Sequence, residues 1–155
     1  MFFVAVATTV GAGLVTGLLF AFSNFVMRAL ADIPGPQGML AMQRINVRII
    51  NPVFVLLFLG TPACCLVLGF VAIRSLDSPG SLTTLLGAAC YLIGPFGITM
   101  LKNVPLNNQL AAADLSDADT VWTDYQIRWQ RWNHIRTWIG IVSMVLLATG
   151  MQRFG

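Results

Sequence analysis

Apolar residues gather along the chain in four long stretches, separated by shorter segments that hold most of the polar residues. A helix needs about 20 residues to cross the hydrocarbon core of a bilayer, and the first three stretches are that long. The fourth is densest over residues 138–151 and reaches that length only if it begins near residue 130. The pattern predicts an all-α, integral membrane four-helix bundle in which residues 1–155 form a single domain. The predicted spans are residues 2–27, 52–73, 82–103 and 130–151.

The connections between the stretches carry signals for turns and helix starts. Pro34-Gly35-Pro36 predicts a turn after a long first helix, and residues 37–50 have the mixed pattern of a short helix before helix two. Asn51 and Pro52 suit the cap and the first turn of that second crossing. Ser116-Asp117-Ala118-Asp119 resembles a capping box, so the fourth helix is predicted to start there and to measure roughly 50 Å. It should therefore project out of the membrane at its N-terminal end.

The composition favours a membrane protein over a soluble one. Hydrophobic residues make up 57% of the chain and charged residues 10%, against about 25% charged residues in soluble domains. The formal net charge of +3 comes without any basic run, so no nucleic-acid partner is expected.

Cys64, Cys65 and Cys90 lie inside apolar stretches without a Cys-x-x-Cys spacing, which indicates small buried residues rather than a disulfide or a metal site. The first stretch is too long for a signal peptide and is interpreted as a retained helix.

Four alternating crossings predict that the polar residues meet at one membrane face. The end of helix one and the start of helix two share that face, as do the end of helix three and the start of helix four. The polar side chains expected there are Asn24, Arg28, Arg44, Asn46, Arg48, Asn51, Lys102, Asn103, Asn107, Asn108, Arg128, Arg131, Asn133, His134 and Arg136. Seven cations belong to this face and two, Arg74 and Arg153, to the other. The positive-inside rule then predicts a cytoplasmic polar face with both termini outside.

The predicted fourth helix carries aromatic and polar residues on one side. The residues on this side are Trp122, Tyr125, Trp129, Trp132, Asn133, Arg136 and Gly140, and those on roughly the opposite side are Arg131, His134 and Trp138. Two interpretations stay open: an interfacial aromatic belt with core packing, or an aromatic wall around a flat ligand with Asn133 and Arg136 as polar contacts. A role for His134 then requires a pocket between two other helices.

Small residues on the first helix predict a packing face. Asn24 and Arg28 are four residues apart, and Gly13, Gly17 and Ala21 continue the same face. Small residues at this spacing let helices approach closely, so this face is expected to turn Asn24 and Arg28 into the bundle. An ordinary packing seam that ends in an interfacial arginine is the alternative.

Two prolines predict departures from regular geometry in the third helix. Pro95 lies between Gly94 and Gly97, and helix bending alone explains it. Pro105 follows Asn103, and the backbone groups that it frees at membrane depth require polar or watery surroundings.

His134 is the only histidine and the one side chain suited to proton transfer near neutral pH. A structural role at the membrane interface is the alternative. His134 is also the only candidate metal ligand, because no carboxylate lies in the neighbouring apolar segments and the thiols are elsewhere along the chain. A haem with one histidine ligand stays open, although no motif supports it.

Three segments resemble the anthrone-oxygenase-like family of small membrane proteins, many of whose bacterial members are labelled only as a domain of unknown function. They are Phe-Ala-Phe-Ser-Asn-Phe-Val-Met at residues 20–27, Asn-Val-Pro-Leu-Asn-Asn at residues 103–108 and Trp-Gln-Arg-Trp-Asn-His-Ile-Arg-Thr at residues 129–137. The resemblance covers nearly the whole chain in order and length. The family positions that it carries over are Asn24, Asn103, Asn107, Trp132, Asn133, His134 and Arg136.

The resemblance implies an oxygen-dependent oxidase or monooxygenase that acts on a lipophilic phenolic or polycyclic compound. An anthrone has an acidic methylene whose carbanion reacts with oxygen directly, so molecular oxygen is the expected co-substrate and no redox cofactor is required. The expected roles are His134 as base, Asn103, Asn133 and Arg136 as oxyanion stabilisers, Trp129 and Trp132 as stacking surfaces, and Asn24 and Asn107 as further substrate contacts.

Other functions fit the same residues. One is a non-enzymatic membrane protein that binds or transports small aromatic molecules, and another is a metal- or haem-dependent membrane oxidase. A third is an interaction subunit whose partner covers the polar face. The expected partners are the lipid bilayer and a small hydrophobic aromatic ligand, and association into a homo-oligomer is left open. The bacterial relatives point to the inner membrane.

Overall fold

Helices account for nearly all of residues 1–151, the part of the chain that the computed structural model describes. Four of them are long and apolar enough to cross a membrane, which confirms the predicted all-α fold with four candidate spans. Arg153, which entered the orientation argument, lies outside the described residues. The helices are α1 (Phe2–Ala31), α2 (Gly35–Arg48), α3 (Pro52–Arg74), α4 (Ser81–Ala111) and α5 (Leu115–Met151).

The start of α3 follows the predicted cap. The side-chain oxygen Oδ1 of Asn51 accepts a hydrogen bond from the backbone N–H of Phe54 at 3.1 Å, and Pro52 occupies the first turn. The first backbone N–H groups of a helix have no partner within the helix, and Asn51 accepts from one of them. Proline lacks an N–H group, which costs nothing in the first turn because no hydrogen bond within the helix is needed there.

The fourth candidate span, α5, is longer than the hydrocarbon core of a bilayer is thick. After a short 3₁₀ turn, 34 residues continue as a regular α-helix from Ala118 to Met151, which is roughly 50 Å of helix. Its N-terminal part does not stand alone in water. Trp122 and Tyr125 of α5 pack in one buried apolar cluster with Met39 and Met42 of α2. The short helix α2 therefore covers the projecting part of α5.

The buried face of α1 differs from the predicted one. Gly17, Asn24 and Arg28 are exposed, and a Cβ built on Gly17 would meet no heavy atom within 4 Å. The face that packs on the other helices is the neighbouring stripe, which includes Val15 and Leu19. The prediction chose the wrong one of two stripes of small residues: Gly11, Ala12 and Thr16 are buried, whereas Gly17 faces outward.

Two segments of the spanning helices wind as π-helix, Phe22–Val26 in α1 and Leu92–Asn103 in α4. Pro95 lies in the second segment, and the hydroxyl of Thr99 donates a hydrogen bond to the Pro95 carbonyl. Pro105 follows in the first turn of the α-helical segment Val104–Ala111, where its missing N–H is tolerated. The predicted distortion of this helix is thus present, and its form is π winding.

We predict that Gly140→Val destabilises the bundle, because α1, α4 and α5 meet at this residue. A Cβ on Gly140 would lie 2.6 Å from Oγ1 of Thr16 and 3.0 Å from Cγ of Pro95. Overpacking of this kind costs about 1–3 kcal/mol, which thermal unfolding of the detergent-purified protein would measure as a lower midpoint. Gly17→Val is the matched control and should leave the midpoint unchanged. Equal losses in both variants would contradict the close packing at Gly140.

Candidate active site

A cavity of about 290 Å³ lies among all four spanning helices, with the C-terminal end of α2 at its edge. Small-molecule sites usually measure about 300–1,000 Å³, so this cavity is at the small end of that range. A benzene-binding cavity measures about 150 Å³, so this one suits a ligand of two or three fused rings. Most of its wall is aliphatic or aromatic. The polar side chains in the wall are Asn46, Thr99, Asn107 and Arg136.

Arg136 is the one cation in this wall, and its side chain is only 4% exposed. Its Nη1 donates to Oγ1 of Thr99 at 2.6 Å, while Nε and Nη2 donate to Oδ1 of Asn133 at 3.1 and 2.8 Å. Its Cζ lies 5.1 Å from the ring centre of Trp129. All of these partners are neutral, and no ion pair joins Arg136 to another residue of the described chain. A buried charge without a counter-charge is costly and commonly marks a functional position.

Asn133 orients the guanidinium and is itself held by α1. Its Nδ2 donates to the Leu19 carbonyl at 2.9 Å and to Oγ of Ser23 at 2.8 Å. The hydroxyl of Thr137 donates to the Asn133 carbonyl at 2.6 Å and lies 3.2 Å from the Ser23 hydroxyl. Sequence reasoning missed both hydroxyl residues. The spacing of four residues from Asn133 could have identified Thr137, and Ser23 follows the buried residues Thr16 and Leu19 at ordinary helical spacing.

Two asparagines of α4 hold the aromatic wall in place. Oδ1 of Asn107 accepts hydrogen bonds from Nε1 of Trp129 at 2.8 Å and from the hydroxyl of Tyr125 at 2.9 Å. Asn103 is fully buried, and its Nδ2 donates to the Trp129 carbonyl at 3.2 Å. Phe22 packs on the same indole, with ring centres 5.4 Å apart. Trp129 is therefore a fixed part of the cavity wall.

The structure separates the remaining candidates from this cavity. His134 and Asn24 are exposed and belong to other surfaces of the bundle. Trp132 is half-buried and lies under the ammonium group of Lys102, whose Nζ is 5.1 Å from the ring centre. A base at His134 would thus act from outside the cavity. The predicted site residues that do lie together are Asn103, Asn107, Trp129, Asn133 and Arg136.

Groups that could bind a metal are scattered over the described chain. Within residues 1–151, no three side chains of histidine, cysteine, aspartate or glutamate come together as a metal site would require. Cys65 is buried, Cys64 and Cys90 are half-buried, and all three are free thiols. His134 stands apart from them on the outside of α5.

The mouth of the cavity lies on the side of the bundle, between α3 and α4. The exposed side chains Val55 and Leu59 of α3 border it, as does Met100 of α4. Ile50, also exposed, extends this edge toward the turn before α3. In a bilayer, apolar side chains at the outside of spanning helices contact lipid tails. If the four candidate spans cross a bilayer, this mouth faces lipid tails.

Comparison with known proteins identifies a family. The family model described as anthrone oxygenase matches residues 54–146, which is more than half of the chain. The matched region runs from the first turn of α3 into the last part of α5 and contains Asn103 and Asn107 of α4 together with Asn133 and Arg136. No curated protein and no solved structure matches the chain.

We predict that Asn133→Leu destabilises the protein far more than Asn24→Leu. The first substitution removes the acceptor of two guanidinium hydrogen bonds and leaves Arg136 partly unsatisfied, whereas Asn24 is exposed. An unsatisfied buried group costs about 1–3 kcal/mol and more when it is charged. Unfolding in mixed micelles of increasing SDS content would measure the difference, and similar midpoints for the two variants would argue against the network.

Proposed function

The chain belongs to the anthrone oxygenase family, and on that premise we propose that it is a membrane-embedded oxygenase-type enzyme for a lipophilic phenolic or polycyclic aromatic substrate of the anthrone type. Molecular oxygen is the co-substrate, and no redox cofactor takes part. The observation that carries this proposal is the buried cation of Arg136 in a mostly apolar cavity whose mouth lies on the side of the bundle. Apolar walls suit the fused rings, and the cation suits the charge that develops when such a substrate loses a proton.

The first step is loss of a proton from the methylene carbon of the substrate. The electron pair of the broken C–H bond delocalises onto the carbonyl oxygen and gives an enolate. Arg136 stabilises that oxygen because its guanidinium is already oriented by Thr99 and Asn133 and need not reorganise. Preorganised donors aimed at a developing negative charge are often the largest single contribution to catalysis.

The second step is addition of oxygen to the same carbon. The carbanion forms a carbon–oxygen bond with molecular oxygen, and the resulting peroxide takes up a proton. Loss of one water molecule, which removes the second methylene hydrogen, leaves a new carbonyl group. Two hydrogens of the methylene carbon and one oxygen molecule are thus converted into a ketone oxygen and water, and the substrate itself supplies the electrons.

The proton acceptor differs from the one expected from the sequence. His134 is exposed, and the described residues of the cavity wall include neither a histidine nor a carboxylate. We therefore assign the proton to water at the polar edge of the cavity near Asn46, with Arg136 making the substrate more acidic. His134 takes no direct part in this scheme.

The orientation proposal withstands the burial of Arg136. A cation inside a site should not be counted for the positive-inside rule, and its removal leaves six exposed cations at the polar face: Arg28, Arg44, Arg48, Lys102, Arg128 and Arg131. Arg74 is the exposed cation of the other face within residues 1–151, and Arg153, which the sequence assigned to the same face, lies outside that range. This asymmetry supports a cytoplasmic polar face with both termini outside, and we propose a bacterial inner membrane as the location.

A non-enzymatic protein that binds or transports small aromatic molecules is the second candidate. The cavity wall without a carboxylate or histidine favours it, because binding requires no base. A ligand recovered unchanged after aerobic incubation with the protein would point to this function. A metal- or haem-dependent oxidase would instead reveal itself by colour or by stoichiometric metal in the purified protein.

We predict that the purified protein accelerates oxygen uptake by an anthrone and that Arg136→Gln lowers this rate about a hundredfold or more. Arg131→Gln is the matched control, since Arg131 is an exposed arginine on the same helix. An oxygen electrode measures the rate, and recovery of the anthraquinone confirms the product. Equal rates for wild type and Arg136→Gln would rule out the proposed role of the guanidinium.

We further predict that His134→Ala keeps most of the oxygen uptake. The side chain is exposed and outside the cavity, so its removal should change neither substrate binding nor the stabilisation of the enolate. The same electrode assay tests this, with anthrone concentration varied to separate effects on binding from effects on turnover. A loss as large as that of Arg136→Gln would restore His134 as the base.

A further inference from the structure

We propose that the cavity binds its ligand as an organic oxyanion and prefers enolates and phenolates of lipophilic aromatic compounds to their neutral parents. This inference rests on the proposed function, because it concerns the same cavity, and it specifies the charge state in which the substrate is held. Four observations carry it: the unused donors of Arg136, the absence of a carboxylate nearby, a second unpaired donor, and the apolar character of the remaining wall.

The first observation is the number of donors that Arg136 leaves free. A guanidinium has five N–H bonds. Three of them are used, one on Thr99 and two on Asn133, so two have no partner among the described residues. Because Arg136 lines the cavity, a ligand oxygen there can accept from donors that already belong to a fixed group.

The second observation is that the positive charge is not cancelled. The chain has six acidic side chains, all of them aspartates, and every one is exposed. The ion pair within the described chain joins Arg128 to Asp124 on the surface, at 2.9 Å. The partners of Arg136 are a hydroxyl, an amide oxygen and an indole face, which orient the charge without neutralising it. An anionic ligand would provide the missing counter-charge.

The third observation is a second donor at the cavity. Asn46 of α2 lines the same cavity, and its Nδ2 is buried without a hydrogen-bond partner among the described residues. An unpaired buried N–H group is costly, so a ligand that accepts from it binds more tightly. Both this amide and the free guanidinium N–H bonds are donors, which favours a ligand rich in acceptor oxygens.

The fourth observation separates organic anions from inorganic ones. Apart from Thr99 and Asn107, the remainder of the wall is apolar, with Phe54 and Phe58 of α3 among its side chains. A small hydrated anion such as chloride would lose its water there and gain only the donors at one end. An enolate or phenolate spreads its charge over rings that the apolar wall can accommodate. The site should therefore prefer a delocalised anion on a flat aromatic body.

The experiment follows the ionisation of a bound probe in the absence of oxygen. The probe is 2-naphthol, whose anion absorbs at longer wavelength than the neutral form, titrated with pH in the presence of the full-length protein in detergent. We expect the pH of half-ionisation of the bound probe to fall by roughly one to three units relative to detergent alone, as for a group next to a cation. We expect 2-methoxynaphthalene, which cannot ionise, to bind at least about tenfold more weakly.

Substitutions link the shift to the guanidinium. Arg136→Gln should abolish the shift, Arg136→Lys should keep its direction because the charge remains, and Arg131→Gln should leave it unchanged. If Arg136→Gln fails to fold, the lysine variant and the methyl ether still test the inference. An unshifted probe with wild-type protein, or equal binding of naphthol and its methyl ether at a pH where the bound naphthol should be ionised, would overturn it. Loss of the shift on addition of chloride at constant ionic strength would overturn the preference for organic anions.

The outcome is separable from that of the proposed oxidation. A shifted naphthol together with no oxygen uptake by an anthrone would leave the oxyanion site in place and remove the oxygenase function. Oxygen uptake together with an unchanged pH of half-ionisation for 2-naphthol would support the oxygenase function and remove the oxyanion site. Both assays use the same purified protein, so a difference between them cannot come from different preparations.

Discussion

A guanidinium held inside an apolar helical bundle by neutral groups alone is the constraint around which this structure is organised. An isolated buried charge is costly, and Arg136 is tolerated because Thr99 and Asn133 satisfy three of its N–H bonds. Asn133 in turn depends on Leu19 and Ser23 of α1. One side chain of α5 is thereby tied to two other spanning helices. The polar network and the packing of the bundle are thus parts of one arrangement.

The backbone adapts to this network on both neighbouring helices. The π segment of α1, Phe22–Val26, contains Ser23, and the π segment of α4, Leu92–Asn103, contains Thr99 and ends at Asn103. Each of these residues bonds to α5. π winding is rare and occurs often at functional sites. Its presence on two helices that face one buried arginine supports a functional centre at this place.

The apolar pattern was sufficient for the number and approximate position of the spans, for the cap at Asn51 and for the buried side of α5. These features depend on local sequence and on a regular helical period. The buried face of α1 could not be predicted, because small residues occupy two neighbouring stripes of this helix and the spacing alone favours neither. Ser23 was missed for the same reason, because it follows Thr16 and Leu19 on the stripe of α1 that the sequence did not assign to the bundle. His134 shows that residue type alone does not identify a catalytic residue, since its chemistry suits a base but its side chain is exposed.

Under the proposed function, the sideways mouth between α3 and α4 determines which phase supplies the ligand. A compound that reaches the protein through the lipid is present there at a concentration set by its partition coefficient, not by its solubility in water. Occupancy of the cavity then follows the ratio of ligand to lipid, and adding empty vesicles dilutes the ligand although the aqueous volume is unchanged. A planar product that dissolves well in the bilayer leaves by the same route. It stays in the bilayer and competes with fresh substrate for the cavity.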